Sequence, residues 1–139
     1  MSAKDIFHDA VRNALIKDGW TITDDPLHLK VSGKLDIYID LGAERLLSAE
    51  KDDESIAVEI KSFLGKSTIF EFHAALGQFL NYRLALVEND PERILFLAVP
   101  QSVYNDFFTI DFIEKSVSIY GLKLIIYDIE NEVIAEWKR

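Results

Sequence analysis

Apolar residues near the start of the chain recur at helical spacing. Phe7, Ala10, Val11, Ala14 and Leu15 fall at i, i+3, i+4, i+7 and i+8, the pattern of a helix with one face on a core. Ser2-x-x-Asp5 can open this helix, and Gly19 closes it as a C′ residue. The period then shortens. Trp20 to Thr23 reads as a short strand broken by Asp24-Asp25-Pro26, and Leu27 to Val31 resumes extended structure. Residues 35–50 read as one long, bent strand. Lys51-Asp-Asp-Glu54 is a polar turn, from which residues 55–61 return antiparallel. Thr68-Ile-Phe-Glu71 has the form of a capping box opening a helix over about 68–87. Phe72, Leu76, Leu80 and Leu84 follow at intervals of four, with Phe79 beside them. After Asn89-Asp-Pro91, the unbroken apolar run Ile94 to Val99 predicts a central strand buried on both faces. One or two helical pieces over 102–119, a strand at 122–127 and a hairpin strand at 133–137 complete the pattern. The order α-β-β-β-α-β-α-β predicts a single α/β (α+β) domain, a mixed sheet flanked by helices.

The strand-like run Ser55 to Lys61 ends in Glu59-Ile60-Lys61. Residues two apart on a strand share a face, so the acid and the lysine point the same way. Two charges on a face expected to be buried are costly unless they are paired or bind a metal. The pattern suits phosphodiester cleavage: Glu59 as a Mg²⁺ or Mn²⁺ ligand, Lys61 steadying the attacking water or the phosphate charge. Acid-x-lysine alone reads equally as a sheet-edge pair with its head groups in water. A third ligand would come from the preceding strand. A hairpin turning at Asp52-Asp53 sets residue 46 opposite residue 59, so Asp36, Asp40, Glu44 and Glu50 all share the face of Glu59. Spacing favours Glu44 opposite Lys61, whereas a bend near Gly42 would bring Asp40 closer. Gln78 and Tyr82, four apart on the predicted helix, share a face and could contact a phosphate or position Lys61. His8 reads either as a weak metal ligand or orienting group, or as a hydrogen-bonded residue at the core edge.

Composition narrows the field. The 139 residues are 49% hydrophobic and 28% charged, enough for one globular core. No apolar run approaches the roughly 20 residues of a membrane span, and Met1 to Asp5 lacks the layout of a signal peptide. There is no cysteine, hence neither disulfide nor thiolate metal site. A cytoplasmic protein with no membrane contact is the simplest reading. The net charge of −9 opposes approach to a phosphate backbone. Either metal ions neutralise a small cleft, or a partner supplies the DNA contact, leaving the chain a weak DNA binder alone. The aromatic residues of the C-terminal half, among them Tyr104, Phe107, Phe108, Phe112 and Trp137, either complete the core or form a homo-oligomer interface.

A helix, strands carrying an acid, a strand ending in E-x-K and a helix with Q-x-x-x-Y together resemble the core of the PD-(D/E)xK nucleases. The resemblance implies a restriction-endonuclease-like fold. In that pattern, Gly33-Lys-Leu-Asp36 resembles the usual G-x-x-D entry, favouring Asp36 or Asp40 as the further acid. His8 stands where such nucleases often carry a glutamate. Closer still, Asp5 to Trp20, Asp36 to Glu50, Ile56 to Phe63, Ala75 to Phe79 and Leu97 to Pro100 resemble the XisH family across nearly the whole chain. That family is named for a factor controlling excision of the fdxN element in heterocyst-forming cyanobacteria. It is usually accompanied by a small XisI-type partner. The resemblance implies a role in DNA rearrangement, exercised either as a metal-dependent endonuclease or as a non-catalytic factor acting with that partner on a recombinase–DNA complex.

Overall fold

The computed structural model describes residues 3–31, 35–37 and 46–139, with side chains over 6–29 and 46–139. Helix α1 (Ala3–Lys17) buries Ala10, Val11, Ala14 and Leu15, the stripe its spacing predicts. It ends where Gly19 adopts φ 93°, with Trp20 N–H donating to Leu15 O and Gly19 N–H to Ile16 O. These two bonds satisfy the orphan carbonyls of the last turn, and only glycine reaches that conformation without strain.

Strand β1 (Thr21–Asp24) pairs antiparallel with β4 (Leu46–Lys51), which pairs antiparallel with β5 (Glu54–Ile60). β5 runs parallel to β6 (Ile94–Pro100) and β6 parallel to β7 (Leu124–Asp128). The hairpin strand β8 (Val133–Lys138) closes the far edge. The result is a mixed six-stranded sheet in the order β1-β4-β5-β6-β7-β8. As the unbroken apolar run predicts, β6 is central, and β5 is its neighbour.

Of the run 35–50 expected as one long strand, Leu35–Ile37 (β3) and the residues from Leu46 on (β4) are described, and 38–45 lie outside the described residues. β3 pairs antiparallel with β2 (Leu29–Val31) in a two-stranded sheet.

Side chains alternate between the two faces of the sheet. Leu47, Ala49, Ile56, Val58, Ile60, Phe96, Ala98, Ile125 and Tyr127 meet α1 and Trp20. Leu46, Ala57, Leu95, Leu97, Val99, Leu124 and Ile126 meet the long helix α2 (Thr68–Asn89) and helix α4 (Asp111–Tyr120). Between β6 and α4 lies α3 (Gln101–Val103), which widens into π-helical turns over Tyr104–Phe108. Phe108 is buried there, and Phe107 and Tyr104 pack against the same core. Trp137 lies against Trp20 and Phe96 on the other face. Of the C-terminal aromatics singled out above, Phe112 alone is strongly exposed. The others complete the core.

α2 is capped one residue earlier than the capping-box pattern implied. Ser67, extended at φ −130°, accepts from Phe70 N–H, and Glu71 instead accepts from Gly65 N–H. The four-residue row along α2 also leaves the core. Each step of four overshoots a turn of 3.6 residues by about 40°. Phe72 is therefore buried, Leu76 and Leu80 are intermediate and Leu84 is exposed. Phe72→Ala should lower the unfolding free energy by about 3–5 kcal/mol, and Ser67→Ala by about 1 kcal/mol, as read by urea denaturation.

Candidate active site

The turn at Asp52-Asp53 sets the register expected of it, with Leu46 opposite Glu59 and Ala57 opposite Ser48. On its other side Glu59 faces Leu97 of β6. Alternation directs Glu59 to the α2 face, beside Ala57 and away from Val58 and Ile60. It is only 1% exposed. Lys61 follows just past the end of β5, its N–H donating to Ala98 O, and Lys61 Nζ lies 3.5 Å from Glu59 Oε1. The same ammonium donates to Gln78 Oε1 of α2 at 2.6 Å. Glu59 is thus buried with Lys61 half-buried beside it, so the acid's head group does not lie in water.

Tyr82 lies one turn beyond Gln78 and is buried. Its removal from water, and then the charge of Glu59, push its hydroxyl up to about 12. The phenol keeps its proton at neutral pH and remains a donor. Because the folded value exceeds the unfolded value of about 10, stability is unaffected below pH 10 and falls as pH rises toward 12. A shift of this size corresponds to about 3 kcal/mol. Tyr82→Phe should flatten that part of the stability–pH curve, as measured by denaturant titration from pH 9 to 12.

The strand end is held by a strained residue. Phe63 adopts φ 57°, a region that a bulky side chain enters at a cost of about 1–3 kcal/mol. Its buried ring meets Phe108 edge-on at 5.7 Å, a contact that offsets the strain and turns the chain away just after Lys61.

The structure does not bring all the candidates together. His8 is on α1, across the sheet from Glu59, and its Nε2 lies 2.8 Å from Asp25 Oδ2, with Arg12 also beside that carboxylate. Asp25 read as no more than a strand breaker in the sequence. The partner of His8 became visible when β1 packed against α1. Nearby, Ser48 donates to Asp24 and contacts Thr23, a second polar group that sequence reasoning missed. The buried run Leu46 to Ala49 around Ser48 was its only signal. Glu50 pairs with Ser55 at the other end of the hairpin and is exposed. Asp36 lies on β3, of whose side chains nothing is described, and Asp40 and Glu44 lie outside the described residues. β2, the pairing partner of the strand that carries Asp36, packs against α2, and Leu29 enters the core on the Glu59 side. Among the described residues, no three His, Asp or Glu side chains are grouped to hold one ion. Nor is any helix among them long and apolar enough to cross a membrane.

A mixed sheet of this strand order, covered by helices on both faces, is consistent with the restriction-endonuclease-like α+β class. The model of the XisH protein family matches residues 1–135, and the chain belongs to the XisH family. The crystal structure of an XisH family protein from Nostoc punctiforme is 48% identical, with a TM-score of 0.89 over 97% of this chain and 100% of that one. The crystal structure of an fdxN element excision controlling factor protein from Anabaena variabilis is 47% identical, with a TM-score of 0.89 over 97% of this chain and 99% of that one. No curated protein matches the chain.

Proposed function

We propose that this XisH protein acts in excision of a DNA element, as its Anabaena variabilis relative is described, through a metal-dependent phosphodiesterase centre built on Glu59 and Lys61. The observation that carries the reading is the buried Glu59, with the Lys61 ammonium 3.5 Å away and fixed in turn by Gln78. Burying an ion pair is weak as a stabilising device, so one retained at the end of a central strand points to chemistry. A carboxylate is a hard donor that suits Mg²⁺ or Mn²⁺. Glu59, with Asp36 or Asp40 from the segment leading into Leu46, would hold the ion, which would supply an activated water and neutralise the leaving oxygen. Lys61, positioned by Gln78, stabilises the negative charge that develops on the phosphate. Tyr82, protonated at neutral pH, offers a hydrogen bond on the same side.

Calorimetry with Mg²⁺ or Mn²⁺ should detect binding that Glu59→Ala weakens by more than about tenfold. Lys61→Ala, which removes a competing positive charge, should leave it intact. Cleavage of duplex DNA should fall by about a hundredfold or more in both variants. The absence of binding to the unaltered protein, or binding unchanged in Glu59→Ala, would overturn the site.

The net charge of −9 favours a second reading, in which the chain retains the fold without cleaving and works through an XisI-type partner on a recombinase–DNA complex. The engagement of His8 by Asp25 on the opposite face agrees with it. Under either reading the isolated protein should bind duplex DNA weakly at physiological salt. Tight binding with a steep salt slope in a mobility-shift titration would contradict both.

A further inference from the structure

The face of α2 turned away from the sheet is apolar as well. Phe70, His73, Gly77, Leu80, Leu84 and Val87 follow one another at steps of three and four, the seam spacing of a helix that packs on another helix. Phe70 is 72% exposed, Leu84 61% and Val87 60%. A helix that is apolar on both faces is normally buried on both. In the same layer, α4 leaves Phe112 and Ile119 exposed, and its C-terminal end is tied to α2 where Arg83 donates to Tyr120 O and Gly121 O. These five side chains present on the order of 500 Å² of apolar surface in all, the size of patch that on a soluble protein is often an interaction site. That amount suits the core of an interface of about 800 Å² per partner.

We propose that this face is an interface between two copies of the chain, with the α2 helices antiparallel across a two-fold axis between Gln78 and Phe79. Three observations select a second copy. The seam is self-complementary: reversal about that axis sets Gly77 against Leu80 of the other copy, His73 against Leu84 and Phe70 against Val87. The space above Gly77 is open, with nothing within 4 Å of where a Cβ would stand, so a leucine from the other copy has a gap to enter. The charge distribution also permits self-association. In a chain with 24 acids and a net charge of −9, the 22 residues of α2 include two acids, Glu71 and Glu88. Glu71 is turned to Gly65 N–H. Two copies of like charge meet little repulsion here.

Light scattering on the full chain without added metal, at concentrations up to roughly 100 μM, should give twice the 15.9 kDa chain mass. Leu84→Lys and Leu84→Glu change the net charge in opposite directions, and both should raise the dissociation constant of the dimer by more than about tenfold. Circular dichroism should remain unchanged, since Leu84 is outside the core. The chain has no cysteine, so the double substitution Gly77→Cys with Leu80→Cys should yield a disulfide-linked dimer on oxidation, which reports the antiparallel register directly. A 15.9 kDa species throughout, or a dimer indifferent to both Leu84 substitutions and not trapped by the cysteine pair, overturns the proposal.

Discussion

A charge inside a sheet covered on both faces survives only if another side chain answers it, and the pairing of Glu59 with Lys61 meets that condition at the end of the central strands. The pair needs β5 to run parallel to β6, so that the strand end opens where Ala98 O can hold the Lys61 backbone. It needs α2 to cross that end with Gln78 and Tyr82 facing inward. It also needs the chain to turn away sharply after Lys61, which Phe63 does at the cost of an unfavourable backbone conformation. Sheet polarity, helix position and local strain thus converge on one corner of the molecule.

The two faces of the sheet divide the work. The α1 side is mostly hydrocarbon, with Trp137 against both Trp20 and Phe96, and it carries the His8–Asp25 pair at its rim. The α2 side combines an aromatic cluster of Phe63, Phe72, Phe107 and Phe108 with the buried Glu59 and the half-buried Lys61. Packing buries the Glu59 carboxylate, and removal from water strengthens the electrostatic interactions it makes. The same helix that shields the pair carries an apolar seam on its outer side.

Much of this architecture was legible in the residues. The stripe of α1, its glycine stop, the hairpin register at Asp52-Asp53 and the burial of Ile94 to Val99 all follow from local periodicity and turn chemistry, which act over a few residues. The adjacency of Glu59 and Lys61 is equally local, because alternation along one strand guarantees it. Even the seam on α2 is written in its spacing, although the same leucines invite assignment to the core.

What only the tertiary structure decided depends on contacts between distant segments. That Leu35–Ile37 pairs with β2 is a choice among extended partners of similar pattern, and the sheet arrangement makes it. That His8 turns to Asp25, across the sheet from Glu59, depends on which face α1 covers. That Gln78 grips Lys61 while Leu84 faces outward depends on how α2 is rotated over the sheet. Periodicity specifies that a helix has an apolar side. Where two sides qualify, as on α2, the packing of the whole core selects the one that goes in.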